Sequence, residues 1–309
     1  MMRLQSRSLR KKLRKKQNIV KRGKHLLSGD LEITHLGQFP KIIHQIWVSP
    51  KNDQYFPGKY NTYYESWSQH NPSWHQVLWT SGEANEFVQQ YYPDMKQLYD
   101  WFLLPVQRAD LLRVMLLHHY GGLYADLDYE CFDSLDRTLP INPEHNVLII
   151  GSPITLYEIF QNSLMVSVPK HPFWMDVLKV IKDASYYVKN PQDCFKQGWK
   201  GCNFLRLFSS PFTKKLAHTV FTVQMTGPCT IDKAFVRASL NKMEYTKSVI
   251  KLSTDKFFTG TVAKHHHDNS WINVPEFLKE IILVGVLGLS ILITIVVLIT
   301  YFRVKCKYK

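Results

Sequence analysis

Hydrophobic and polar positions along the chain fall into short runs that alternate between strand-like and helix-like spacing. Residues 41–48 (Lys-Ile-Ile-His-Gln-Ile-Trp-Val) are rich in β-branched and aromatic types and sit between Pro40 and Pro50, which predicts a short, mostly buried strand. A helix is predicted over 60–69 and ends at Asn71-Pro72. Residues 74–80 alternate as a strand does, and Ser81 is placed to cap a helix running through 83–91. Pro105 suits the first turn of a helix that continues through 107–119 and stops at Gly121-Gly122. That helix is apolar on most faces, so it belongs at the centre of the fold. A strand over 123–129 follows, then a strand over 146–150, a helix over 171–187 and a helical stretch over 205–223. Short strands alternating with helices predict an α/β fold around a sheet with parallel members.

A different kind of run lies at 281–302, where 22 successive residues carry no charge. That length covers a hydrocarbon core of about 30 Å and predicts one transmembrane helix. The chain therefore divides into a basic arm (1–30), a folded body (31–275), a membrane span (281–302) and a basic tail (303–309). The net charge of +14 follows the same division. Eleven Lys/Arg and no acid lie in 1–24, and four Lys/Arg and no acid in 303–309, so the rest of the chain is almost neutral. A nucleic-acid-binding domain would carry its charge on the folded face, so nucleic acid is set aside as a partner. Basic segments flanking a span instead suit anionic lipid headgroups. With the tail cytosolic, the body is lumenal, and Lys305 and Lys307, fifth and third from the end, resemble a dilysine retrieval signal. With the tail lumenal, the protein is a tail-anchored enzyme facing the cytosol. A single-pass protein of the endoplasmic reticulum or Golgi is favoured. The five cysteines lack zinc-ligand spacing, and Cys194 with Cys202 could form a disulfide if the body is lumenal.

The candidate chemistry sits in the middle of the body. Asp126 and Asp128 are two apart on a predicted strand, so both carboxylates should share one face near its C-terminal end, where ligands bind in open α/β sheets. Two adjacent carboxylates repel one another unless a cation lies between them, and oxygen ligands suit Mg²⁺ or Mn²⁺. Upstream, Asp110 and Arg113 are i,i+3 neighbours in the apolar helix. Charges there must be paired or used on a ligand. A structural ion pair and a pair that binds sugar or phosphate are both compatible with the spacing.

The run Pro105-x-x-Arg108-Ala109-Asp110-x-x-Arg113, continuing to His119-Tyr120-Gly121-Gly122-Leu123-Tyr124-x-Asp126-x-Asp128, resembles the DXD-motif sugar transferases of glycosyltransferase family 32. Within that family it is most similar to the inositol phosphoceramide mannosyltransferase group. Residues 40–47, Trp67, Asn71-Pro72, Trp79-Thr80, a loop over 162–173, Thr226-Gly227-Pro228 and His266/His267 with Ser270-Trp271 extend the resemblance over about 38–272.

The resemblance implies a GT-A fold with a mixed, mostly parallel sheet, a divalent cation, a nucleotide-sugar donor and retention of anomeric configuration. By position, Trp47 would contact the base, and Asp110 and Arg113 the donor sugar. Tyr124 would lie beside the donor, Asn162 near the sugar or the acceptor, Asp126 on the ribose and metal side, and Asp128 would ligate the metal. Of His265, His266 and His267, the expected third ligand is His267, with His266 the second choice. Ser270 and Trp271 would cover the diphosphate. GDP-mannose is the favoured donor, with UDP-sugars as the alternative. A membrane tether favours a lipid acceptor such as inositol phosphoceramide, with a glycan as the other choice. A regulatory subunit is a further partner that the resemblance admits. A phosphohydrolase with an Asp-x-Asp nucleophile fits poorly, because the pair lies deep in the chain and Glu130 stands where a Thr or Val is needed. Nothing in the sequence supports a non-catalytic relic, since every expected ligand is present.

Overall fold

The computed structural model describes residues 26–29, 31–48, 58–102, 104–151, 160–189, 222 and 225–267. All of these belong to one compact unit. The basic arm up to residue 25, the stretch 205–223 apart from Thr222, Cys194, Cys202, Ser270, Trp271, the span 281–302 and the tail lie outside the described residues. Among the described helices, none is long and apolar enough to cross a membrane.

Two short strands, β1 (His35–Leu36) and β2 (Phe39–Pro40), pair antiparallel ahead of β3 (Ile42–Trp47). Helix α1 (Asn61–His70) then leads to β4 (His75–Thr80), which lies parallel to β3. Helix α2 (Ser81–Tyr91) starts one residue earlier than its expected cap allows. Thr80 is the N-cap, and its backbone N–H donates to Glu83 Oε2 at 3.1 Å, so Ser81 is already helical. Helix α3 (Pro93–Trp101) had no counterpart in the sequence pattern; it follows α2 after a single residue and has Pro at its first position. Helix α4 (Pro105–Tyr120) and strand β5 (Gly122–Ala125) are the predicted central pair, and all four residues of β5 are buried.

Past Ala125 the predicted strand breaks. Asp126, Leu127 and Asp128 form a turn closed by the Tyr129 N–H donating to Asp126 O at 3.1 Å. Strand β6 (Tyr129–Cys131) then leaves the main sheet. Helix α5 (Leu135–Thr138), strand β7 (Val147–Gly151) and strand β8 (Phe160–Ser167) follow. The first half of the segment expected as a loop over 162–173 is instead the last six residues of β8. Its residues are buried almost throughout because β8 sits inside the sheet between β5 and β7. Helix α6 (Phe173–Lys189), helix α7 (Pro228–Leu240), strand β9 (Val249–Leu252), helix α8 (Thr254–Phe257) and strand β10 (Ala263–His265) complete the described chain.

The six-stranded sheet has the order β4-β3-β5-β8-β7-β9. Five strands run one way and β8 alone is reversed, so the sheet is mixed and mostly parallel, as expected. Strand β10 pairs antiparallel with β6 in a separate two-stranded ribbon, with His265 opposite Tyr129 and Lys264 opposite Glu130. One apolar core of fully buried side chains, including Trp67, Leu123, Tyr129, Leu148 and Val166, joins the main sheet to this ribbon. His44 is buried in β3 and packs as a neutral ring. Its Nε2 lies 3.0 Å from Gly121 O, and its Nδ1 accepts from Trp79 Nε1 at 3.1 Å. Burial lowers its pKa to about 4, so no charge has to be housed there.

Gly121, between α4 and β5, and Gly122, the first residue of β5, have φ of 68° and 86°. A Cβ on Gly122 would lie 2.6 Å from Ile42 O, and one on Gly121 2.7 Å from both Ser167 O and Pro169 N. Both clashes are with backbone, which cannot swing aside. Gly122→Ala is therefore expected to destabilise the protein by about 2–3 kcal/mol. Gly58→Ala, where the nearest atom is 4.0 Å away, should be close to neutral. Urea unfolding of the two variants checks the contrast.

Candidate active site

The site is assembled at the C-terminal end of β5, where four segments converge. The first is α4, which brings Asp110 and Arg113. Their ion pair is formed, with Arg113 Nη2 2.9 Å from Asp110 Oδ1, and both side chains are almost fully buried. Arg113 Nη1 donates to Asn162 O on β8 at 2.8 Å and lies 3.2 Å from Asp126 Oδ1. Its guanidinium also stands 4.6 Å from the centre of the Tyr124 ring. Asp110 accepts from Asn162 Nδ2 at 3.0 Å and from Thr226 Oγ1 at 2.8 Å. The ion pair is thus one part of a buried polar network that ties α4 to β5, to β8 and to the segment before α7.

The second segment is the 126–128 turn. Leu127 packs into an apolar cluster with Tyr60, Tyr64 and Leu78, against which Trp47 and Tyr63 also lie. Anchoring Leu127 leaves its two neighbours to present carboxylates away from that cluster. Asp126 Oδ1 is held by the Tyr124 hydroxyl at 2.6 Å and by Arg113, while Oδ2 faces His265 at 4.0 Å. The Asp126 N–H donates to Ser163 O at 2.9 Å, which fixes the start of the turn against β8.

The third segment is the end of β10. His265 Nε2 lies 3.2 Å from Asp128 Oδ1. Asp126, Asp128 and His265 each offer one ligand atom, and these atoms lie within 4.8 Å of one another. Two carboxylate oxygens and one imidazole nitrogen are a donor set that suits Mn²⁺ or Mg²⁺, so the residues present fit a divalent cation. The histidine brought to the carboxylates is His265, rather than the expected His267 or His266. Strand pairing decides this: His265 stands opposite Tyr129, next to Asp128, whereas His266 falls on the alternate face. His267 has a φ of 51°, and its Nδ1 lies 3.1 Å from His265 Nδ1, so it touches the site through His265.

The fourth segment is Trp47, at the end of β3. Its ring is 6.0 Å from Tyr60 and packs against the cluster that holds Leu127. Of the expected residues, the structure brings together Asp110, Arg113, Tyr124, Asp126, Asp128 and Asn162. Ser270 and Trp271 lie outside the described residues. The role of Thr226 was not evident from the sequence, although its Thr-Gly-Pro context marked it as part of a family motif.

Burial and charge oppose each other throughout the site. Burial pushes the Asp110 carboxyl up to about 6, against the pull of Arg113 and of the Thr226 and Asn162 donors, so it is ionised at neutral pH. Burial also raises Asp126, partly offset by Arg113. For His265, burial acts to lower the pKa, but the hydrogen bond and charge of Asp128, together with Asp126, carry it above its usual value.

Residues 57–148 match the family described as glycosyltransferase sugar-binding region containing DXD motif. That stretch carries Asp110, Arg113, Tyr124, Asp126 and Asp128. The chain is similar to mannosyl phosphorylinositol ceramide synthase CSH1 of Saccharomyces cerevisiae, with 36% identity over 152 residues, covering 49% of this chain and 36% of the relative. It is also similar to inositol phosphoceramide mannosyltransferase 2 of Schizosaccharomyces pombe, with 27% identity over 235 residues, covering 74% of this chain and 59% of the relative. The chain spans about a third of the length of the Saccharomyces relative. Among solved structures, the ligand-free glycosyltransferase domain from the YGT toxin aligns with a TM-score of 0.48 and 10% identity, covering 71% of this chain and 80% of that one.

Thr226→Val removes one donor from a buried carboxylate and is expected to cost about 1–3 kcal/mol at pH 7. The lost hydrogen bond favours the charged form, so the cost should shrink as pH falls through about 6 and Asp110 takes up a proton. Urea unfolding of wild type and variant at pH 7 and pH 5 checks both the size and the sign.

Proposed function

We propose that this chain is a metal-dependent, retaining glycosyltransferase with a GT-A fold, moving mannose from GDP-mannose to a membrane lipid such as inositol phosphoceramide. The observation that carries this reading is the meeting of Asp126, Asp128 and His265 beside the buried Asp110–Arg113–Asn162 network. The match of 57–148 to a glycosyltransferase sugar-binding region and the names of the two yeast relatives support it.

In this reading Asp126, Asp128 and His265 hold the cation. When bound, it would offset the charge that develops on the leaving diphosphate. Arg113 and the Tyr124 hydroxyl occupy Asp126 Oδ1, which leaves Oδ2 directed toward His265. Asp110 holds Arg113 and Asn162 in place, so these three set the floor on which the donor sugar rests. Trp47, packed against the cluster that holds Leu127, would stack on the nucleotide base. Ser270 and Trp271 would close over the diphosphate, and the span at 281–302 would keep the enzyme at the surface that carries its acceptor.

With Mn²⁺ present, GDP is expected to raise the melting temperature more than UDP does, and GDP-mannose should be slowly hydrolysed. A larger shift with UDP would change the assigned donor, and no shift with either nucleotide would remove the transferase reading. Asp128→Asn should abolish turnover and Mn²⁺-dependent nucleotide binding while the metal-free melting temperature stays near wild type. Normal turnover in that variant would take the Asp pair out of the mechanism. Because a cation needs a neutral imidazole, Mn²⁺ affinity should weaken as pH falls through the raised pKa of His265. Calorimetric titration with Mn²⁺ between pH 6 and 8 measures that slope.

A further inference from the structure

The pairing of β6 with β10 sorts the residues of the ribbon onto two faces. His265 shares one with Tyr129, and its ring packs 4.7 Å from Tyr129 and 5.1 Å from Phe258. Lys264 stands opposite Glu130 on the other face, and His266, two residues beyond Lys264, returns to it. There His266 Nε2 lies 2.9 Å from Glu130 Oε2, and because a carboxylate only accepts, the imidazole N–H donates. The Tyr63 ring, carried by α1, stacks on His266 at 4.3 Å with 10° between the planes. The His266 backbone N–H donates to Asp128 O at 2.9 Å, and the His265 N–H donates to Phe258 O at 2.8 Å.

We propose that Glu130, His266 and Tyr63 form a latch that seats the segment carrying His265 against the 126–128 turn before a cation arrives. They are positioning residues, not ligands. The proposal rests on the cation reading given above and adds how the third ligand comes to be in place. Asp126 and Asp128 precede β6 directly, whereas His265 arrives from a strand that follows them by more than 130 residues. The three-residue pairing of β10 with β6 ends at His265, and a strand that short frays at its end when only backbone hydrogen bonds hold it. A carboxylate on one side of the His266 ring and an aromatic face on another hold it by its side chain as well. With the latch closed, the cation meets a formed site. Without it, binding must also order the segment, which weakens affinity.

The test uses the full chain stripped of metal. Amide hydrogen exchange is followed over 263–267, and Mn²⁺ affinity is then titrated. Glu130→Ala is expected to speed exchange there tenfold or more and to weaken Mn²⁺ binding by about 10–100-fold, the scale seen when groups supporting metal ligands are removed. Glu130→Gln keeps an acceptor oxygen and should restore most of both. Tyr63→Leu removes the stacking face alone, so it should give a smaller change in the same direction and serves if Glu130→Ala fails to fold. Wild-type exchange and Mn²⁺ affinity in the Ala or Leu variant would overturn the latch while leaving the cation reading intact. Failure of the wild type to bind Mn²⁺ would overturn the cation reading, and the exchange comparison would then decide the latch alone.

Discussion

A single buried guanidinium sets the geometry of the site. Arg113 lies inside the fold, where an uncompensated charge would cost several kcal/mol, so its fork must be filled. Asp110 fills it from the preceding turn of α4, Asn162 O from β8 and Asp126 from the end of β5. The Tyr124 ring covers one face. Helix α4, the end of β5 and the more distant strand β8 are therefore held in one relative position by one side chain. Asp126 cannot move without leaving Arg113 short of a partner. Its second oxygen consequently keeps a fixed direction, toward His265.

The same constraint accounts for the oddness of β8. A reversed strand in an otherwise parallel sheet allows its first residues, rather than its last, to reach the C-terminal ends of the parallel strands. Asn162 and Ser163 arrive there in that way. Asn162 serves Asp110 and Arg113, and Ser163 O receives the Asp126 N–H while its hydroxyl meets Tyr129 OH at 3.1 Å. The family resemblance made 162–173 a loop, whereas Asn162 to Ser167 lie in β8. Its buried position explains the contradiction, since each of those polar groups has a partner that only the folded sheet supplies.

Local pattern revealed what depends on neighbours in sequence. Strand β3, strand β4 and helix α4 with its Gly-Gly stop were legible, and so was the i,i+3 pairing of Asp110 with Arg113. Pairing across long separations was not. Whether 123–129 is one strand or two depends on β6 leaving the sheet for β10, and no residue between Leu123 and Tyr129 announces that. Which of three consecutive histidines meets the carboxylates depends on a register, and a slip of one residue would have chosen another. Helix α3 was missed because it follows α2 after a single residue, so the helical spacing reads as one interrupted run.

The ribbon of β6 and β10 has a consequence for how the protein is made. Asp126 and Asp128 leave the ribosome about 140 residues ahead of His265. At typical synthesis rates of about 5–20 residues per second, that interval lasts about 7–28 s. During it the central strands can form while the two carboxylates lack the imidazole that later faces them. Over that interval the chain holds both carboxylates but not yet the imidazole that completes their cluster in the folded protein. The cluster of Asp126, Asp128 and His265 is therefore completed late in synthesis, when the segment bearing His265 docks.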